Sequence, residues 1–467
     1  MSAAAARPAT EGRSPGARSG QTAVILHAAR LRGELRMPGD KSISHRALIL
    51  AALAEGNSSI QGAGDGADVR STAAIVAALG AEVERLRDDG RIVDYRVVSP
   101  GVDGLREPRE TLDCGNSGTS LRLFAGLLAG MPFRATLDGD ESLRRRPVAR
   151  IIEPLRAMGA ELSARSNDSL PPLTVSGRTP LRAIDVTTSV PSAQVKSAIL
   201  LAALRAEGRS TVRESVGTRD HTERMLRARG VPVERQSDEG SGEGVAWSLT
   251  GGLRVRAVDE RIPGDVSAAA FWLVAAAIHP DAELTVRSVG VNPTRRAVID
   301  LLRRMGARIE ETPLLARADQ ADGDSGEPMA DLRVRSSRLE AIEIAPAEVA
   351  ASIDEIPVLC LAATQAAGTT VIRGAGELRK KESDRIAGIA TGLAALGAHV
   401  QVEGDDLHIS GEARLNGAPA DSLDDHRLAM TFAVAGLLAD GETAVLGADS
   451  ATISYPGFLA DLEGVRA

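Results

Sequence analysis

The sequence has few aromatic residues. Five Phe, two Tyr and two Trp among 467 residues amount to 2%, which leaves little for base-stacking platforms or sugar-stacking clefts. Cysteine is nearly absent. Cys114 and Cys360 alone cannot build a disulfide framework or a four-cysteine zinc site, and reduced thiols in the cytoplasm are expected. Positive charge is in deficit, with 55 Lys and Arg against 63 Asp and Glu and a net charge of −8. A protein that coats nucleic acid or an anionic membrane carries the opposite balance, so any cationic site must be local. No window reaches the ~18 consecutive apolar residues of a membrane span, and the N-terminus lacks the apolar stretch of a secretory signal. Residues 1–22 are rich in Ala, Arg, Ser, Gly and Pro without apolar periodicity and read as a disordered tail.

Repetition is what the chain has in plenty. Ala/Leu-rich helical stretches end in small polar stops at residues 56, 130, 208, 281, 368 and 441, which are 74, 78, 73, 87 and 73 residues apart. Gly just past a helix, or Pro near its end, is an expected stop. β-Branched runs such as Ser210-Thr211-Val212, Leu284-Thr285-Val286 and Thr369-Thr370-Val371-Ile372 follow most of them and read as strands. A second helix then stops at Gly80, Gly159, Gly230, Gly306 or Gly397, and another alternating stretch begins. Six α/β units of ~75 residues result, the sixth cut short after Phe458-Leu459, with three units per globular body as the natural grouping. The longest interval contains an Asp/Gly/Ala-rich stretch, Ala316 to Glu327, expected to be a surface insertion.

Chemistry-bearing residues cluster at helix starts. Pro38-Gly39-Asp40-Lys41-Ser42 runs on to Arg46 and an apolar helix. Free N–H groups and the helix dipole attract anions there, and Lys41, Ser42 and Arg46 would complete a phosphate or carboxylate cradle; alone, the segment reads more plainly as a capped helix. Gly115-Asn116-Ser117-Gly118-Thr119 leads to Arg122 in the same way. Arg144-Arg145-Arg146 suggests a multiply charged anion, although charged runs are mostly solvated surface. Ser192-Ala193-Gln194 opens another helix. In Arg219-Asp220-His221-Thr222-Glu223 the His and Glu lie too close in sequence for a helical pair of zinc ligands, so His221 is expected to be a hydrogen-bonded structural residue. Asp354 and Glu355 precede an apolar helix, where acids are normally dipole partners. Lys381-Glu382-Ser383-Asp384-Arg385 and Asp425-His426-Arg427 complete the set. If the six units pack pseudo-symmetrically, these starts converge on one cationic cleft, with Asp354 and Glu382 as its acid–base groups.

Together these segments resemble the 5-enolpyruvylshikimate-3-phosphate (EPSP) synthase family, 3-phosphoshikimate 1-carboxyvinyltransferases, over roughly Leu31 to Phe458. The resemblance implies two domains of three βαβαββ units each, 23–38 plus 263–467 and 39–262, joined by crossovers near Pro38-Gly39 and Pro263-Gly264 and closing on substrate. It implies transfer of the enolpyruvyl group of phosphoenolpyruvate to the 5-hydroxyl of shikimate 3-phosphate (3-phosphoshikimate), with no metal or organic cofactor, by a cytoplasmic monomer with no nucleic-acid or membrane partner. By matched position, Lys41, Ser42 and Arg46 would hold shikimate 3-phosphate, with Lys41 shared with phosphoenolpyruvate; Ser192, Ala193, Gln194 and Arg219 would continue the shikimate 3-phosphate site. Gly118 and Arg146 would face phosphoenolpyruvate, and Arg385 and Arg427 would clamp its carboxylate. Asp354 would accept the hydroxyl proton, Lys381 would contact substrate, and Glu382 would protonate the methylene carbon. The chain departs from many members at Leu123 and Ile453, where they carry proline and lysine. The 219–223, 192–194 and 292–295 segments are similar to the second, often glyphosate-tolerant class, whereas Gly118 is the residue of the sensitive class. The sister family that acts on UDP-N-acetylglucosamine usually has a reactive cysteine in the loop that here reads Asp138 to Leu143. A non-catalytic repeat protein would have no need of Asp354 and Glu382.

Overall fold

A computed structural model of the chain describes residues 20–238, 244–314 and 326–467. The tail expected over 1–22 lies outside the described residues up to position 19. Gln21, placed in that tail by sequence, is instead tied to the body. Its N–H donates to Asp449 Oδ1 at 2.8 Å, and its carbonyl accepts from Ala448 N at 2.9 Å. Short polar segments are ordered where neighbouring backbone groups need partners. Most of the expected insertion, residues 316–325, also lies outside the described residues.

The repeat is visible in the sheets. In one unit, Leu112–Asp113 pairs in parallel with Arg134–Asp138, which pairs antiparallel with Leu170–Ser176, and that strand pairs antiparallel with Glu161–Ala164. The same four-strand order recurs around Arg209–Glu214 and Thr369–Ile372. Two units take their parallel edge strand from elsewhere in the chain. Glu260–Arg261 joins Glu55–Gly64, and Leu31–Arg36 joins Ala282–Gly290. The sixth sheet has three strands, with Ala23–Leu26 closing it against Glu442–Leu446. The N-terminal strands thus complete units built from the far end of the chain.

Each unit contributes one central helix: Lys41–Leu53, Gly118–Ala129, Ala193–Ala203, Val266–Ile278, Ile356–Thr364 and His426–Gly436. These are apolar nearly all round, as a helix packed on every side must be; all of Val266–Ile278 is buried. The outer helices, such as Ala149–Ala157 and Ala297–Arg304, bury one face only. They end where the sequence places its second glycine stops. Gly80 and Gly159 have φ of 109° and 108°, where a side chain would be strained.

The buried apolar residues form two clusters. One runs from Ile43 to Ile262; the other combines Ile25 to Met37 with Val266 to Val465. The chain passes between these lobes twice, and the two passages lie side by side. Asp40 N donates to Pro263 O at 2.8 Å and Asp265 N to Pro38 O at 2.9 Å. Gly39 is packed so tightly that a Cβ would lie 2.0 Å from Gly62 O. Among the described residues, no helix is long and apolar enough to cross a membrane.

Candidate active site

Five of the central helices start with a side-chain cap of the kind their sequences announce; at Val266–Ile278 the cap is Asp265, which accepts from Ser267 N. Asp40 accepts from Ile43 N, Ser117 from Ser120 N, Ser192 from Val195 N and Asp425 from Arg427 N. Each capped start presents the residue types singled out by sequence.

In the first lobe, Lys41 is exposed and its Nζ lies 3.2 Å from Asp68 Oδ2. Ser42 is half-buried, and its carbonyl accepts from Arg46 Nη1 at 2.8 Å. Arg46 is buried, and its other contacts are Thr222 Oγ1 at 2.7 Å and Ser197 Oγ at 2.9 Å. It is held deeper than a purely substrate-facing arginine, with three of its five N–H groups already used. Arg122, quoted in the helix-start motif but not among the expected ligands, proves central. Its Nη1 donates to Gln194 Oε1 at 2.8 Å and Gly118 O at 3.2 Å, and its Nη2 to Pro147 O at 3.1 Å. Burial, followed by the charges of Arg146 and Arg150, pushes its pKa down to about 10. The position four residues after Gly118 in one helix was the available signal. Gln194 Nε2 donates in turn to Thr119 Oγ1 at 2.9 Å, and Ala193 is the first residue of its helix. Of the three arginines, Arg144 pairs with Asp138 and Arg145 with Glu141 at the surface. Only Arg146 turns to the glycine loop, donating to Asn116 Oδ1 at 2.5 Å.

In the second lobe, Asp354 is the focus. Arg219 Nη2 reaches across from the first lobe to its Oδ2 at 3.2 Å. Lys381 Nζ and Arg385 Nη1 lie 3.7 and 3.8 Å from its Oδ1. Burial opposes ionisation of this carboxyl, but Arg219, Arg427, Lys381 and Arg295 outweigh it and hold the group well below the usual carboxylate range. Arg385 is buried; its Nε donates to Asp425 Oδ2 at 2.8 Å and its Nη2 to Glu382 Oε2 at 2.6 Å. Its buried Nη1 has no hydrogen-bond partner. Arg427 donates from Nη1 to Ser267 O at 3.3 Å. Glu382 is half-exposed on Arg385. Asp425, quoted in sequence only as the start of a helix, both caps that helix and holds Arg385. His426 beside it is pushed down to about 3 by burial and then by Arg427, with Lys41 of the first lobe contributing.

Two groupings therefore form: Gly118, Arg122, Arg146 and Gln194 in the first lobe, and Asp354, Lys381, Glu382, Arg385 and Arg427 in the second, with Arg219 of the first lobe reaching it. Arg46 stays within the first lobe, where it contacts Ser197, on the helix that begins at Ala193, and Thr222, three residues after Arg219. Leu123 is fully buried in the core and Ile453 is exposed. Among the described residues, no group of three or more His, Cys, Asp and Glu side chains is placed to hold a metal ion. His221 accepts the role expected of it, with Nδ1 2.8 Å from Glu327 Oε1.

A sequence model of the EPSP synthase (3-phosphoshikimate 1-carboxyvinyltransferase) family matches residues 26–462. The chain belongs to the EPSP synthase family. It is 51% identical to the 3-phosphoshikimate 1-carboxyvinyltransferase of Gloeobacter violaceus, covering 96% of this chain and 99% of that one. It is 50% identical to the enzyme of that name from Acidithiobacillus ferrooxidans, covering 93% and 95%. The structure of EPSP synthase from Acinetobacter baumannii superposes with a TM-score of 0.86 at 37% identity, over 96% of this chain and 98% of that one. The enolpyruvyl transferase NikO from Streptomyces tendae shares the fold, with a TM-score of 0.73 at 20% identity and coverage of 96% and 98%.

Proposed function

We propose that this EPSP synthase-family chain transfers the enolpyruvyl group of phosphoenolpyruvate to the 5-hydroxyl of shikimate 3-phosphate, giving 5-enolpyruvylshikimate 3-phosphate and inorganic phosphate. The observation that carries the reading is Asp354, a carboxylate ringed by cations from both lobes. The hydroxyl oxygen adds to C2 of phosphoenolpyruvate as Asp354 takes its proton and Glu382 protonates the methylene carbon. The tetrahedral intermediate then loses phosphate and a proton from that carbon, restoring the double bond. The cations around Asp354 stabilise its ionised form and so weaken it as a base. Substrate phosphate and carboxylate groups that draw Arg219 and Arg427 to themselves would raise its basicity.

Lys41, Ser42, Arg46, Ser192, Ala193, Gln194 and Arg219 are assigned to shikimate 3-phosphate, and Lys41, Gly118, Arg146, Arg385 and Arg427 to phosphoenolpyruvate. Arg122 joins the second set, because it donates to Gly118 O and its pKa is depressed first by burial and then by the neighbouring charges of Arg146 and Arg150. The lobes 39–262 and 23–38 plus 263–467 act as two closing domains of a cytoplasmic monomer. Phosphate release that requires both substrates, with the product mass measured, tests the activity; phosphate release without shikimate 3-phosphate would refute it. Sedimentation at working concentration tests the monomer.

A further inference from the structure

Next to Arg219 lies a buried polar cluster that no step above uses. Asp220 stands at the start of helix His221–Ala228, where an aspartate normally caps its own helix, yet it makes no cap hydrogen bond. Its carboxylate is spent across the lobe boundary. Oδ1 accepts from Asn292 Nδ2 at 2.8 Å and lies 3.2 Å from Thr294 Oγ1, both in the second lobe, while Oδ2 accepts from Arg224 Nε at 2.9 Å. The Asp220 N–H also points at Thr294 Oγ1, at 3.4 Å. Asn292 is saturated. Its second Nδ2 hydrogen goes to Glu327 Oε2 at 3.0 Å, and its Oδ1 accepts from Thr294 N and Oγ1, both at 2.8 Å. Those four bonds exhaust a carboxamide. Glu327 also holds His221 of the first lobe. Asp220, His221, Asn292 and Arg224 are all buried.

We infer that Asp220 and His221 of the first lobe, with Asn292, Thr294 and Glu327 of the second, form an inter-lobe clasp that positions Arg219 opposite Asp354. The peptide joining Arg219 to Asp220 carries the N–H held by Thr294, so the clasp sets the origin of the Arg219 side chain relative to the second lobe. Buried polar groups are costly to leave unpaired, so separating the lobes exposes or strands several at once and the clasp favours the closed arrangement. These are positioning residues; the assignment rests on the reaction proposed above only for its kinetic readout.

The test compares the parent with Asn292→Asp, Glu327→Gln, their double variant, Thr294→Val and Thr294→Ser, each checked for folding by thermal melting. Asn292→Asp keeps the shape but sets a third carboxylate where two donors had faced two carboxylates, and like charges set together at an interface repel, so kcat/KM should fall ~10-fold or more. Its radius of gyration with both substrates bound should exceed the parent's. In the double variant the carboxamide placed at position 327 can donate to the carboxylate placed at position 292, so at least about threefold of the loss should be recovered. If Asn292→Asp does not fold, the threonine pair decides, with Thr294→Ser keeping parental kinetics and Thr294→Val losing both turnover and compaction. Parental kcat/KM and scattering in a folded Asn292→Asp, or in Thr294→Val, would overturn the clasp. A parent that does not turn over would overturn the proposed reaction instead, and substrate-free scattering of parent and variants would still judge the clasp.

Discussion

In the first lobe, Arg46, Arg122 and Arg146 donate to neutral oxygens: hydroxyls of Thr222 and Ser197, carbonyls of Ser42, Gly118 and Pro147, and carboxamides of Gln194 and Asn116. In the second, Arg385 lies on Asp425 and Glu382, and Lys381, Arg385 and Arg427 surround Asp354. Neutral acceptors leave Arg122 and Arg146 without a bonded carboxylate, while Arg46 feels the charges of Glu223, Asp40 and Glu327; the cationic surplus at Arg122 and Arg146 suits the anionic substrates of the proposed reaction. Carboxylates among cations cancel most of that field but supply groups that can hold a proton. In the proposed reaction one lobe serves capture and the other chemistry, and Arg219, which starts in the first lobe and ends on Asp354, joins the two. Lys41, paired with Asp68, is the exception in the first lobe. That pair is solvated and so weak, and substrate can displace it.

The largest expected effect breaks the chemical half of this contrast. Asp354→Ala should lose at least ~10²-fold in turnover while staying folded; a folded variant with near-normal turnover would return Asp354 to a structural role. The same carboxyl should show in stability. Its folded pKa lies below the unfolded value, so its contribution is fully present above about pH 4 and is lost as pH falls through the folded value. The stability deficit of Asp354→Asn, measured by denaturant titration, should therefore be constant at neutral pH and shrink in acid. A deficit that grows in acid would reverse the sign assigned here.

Arg427→Lys comes next. Lysine cannot supply two parallel N–H donors, and hydrogen bonds to charged groups are worth ~1.5–3 kcal/mol, so KM for phosphoenolpyruvate should rise ~10–100-fold. KM for shikimate 3-phosphate should change less; equal changes would mean that the second lobe also serves as a general electrostatic sink. Gly118→Ala sharpens the capture half. Its methyl would lie 2.7 Å from Arg122 Nη1 and 3.4 Å from Arg146 Nη1, displacing the first from Gln194. One methyl in a tight pocket is worth ~1–3 kcal/mol, so phosphoenolpyruvate should weaken about 10-fold or more, and glyphosate should weaken further. Superimposable inhibition curves at matched phosphoenolpyruvate saturation would place position 118 outside that pocket. The smallest effect is Arg145→Ala. Its pair with Glu141 is exposed, so KM and kcat should match the parent, whereas Arg146→Ala should raise KM for phosphoenolpyruvate. Equal losses would show that the three arginines act as one patch.

The sequence by itself determined what is local. Helix starts at Asp40, Ser117, Ser192 and Asp425, stops at Gly80 and Gly159, and the recurrence of one unit at ~75-residue spacing were all legible, because caps, turns and periodicity act over a few residues. The motif residues were legible too, since most sit in the first turn of such a helix. Which of them meet was decided only by the tertiary structure. Arg122 finds Gln194 across 72 residues, Arg219 finds Asp354 across 135 and Arg46 finds Thr222 across 176. No short-range pattern encodes those distances. Three adjacent arginines look alike in sequence, yet only Arg146 faces the glycine loop. Asp220 stands at a helix start, yet its carboxylate is drawn to the opposite lobe. The physical reason is that a local signal places a polar group at a helix end, whereas its partner is chosen by how the lobes bury their apolar helices and by the need to satisfy every charge and hydrogen bond enclosed with them.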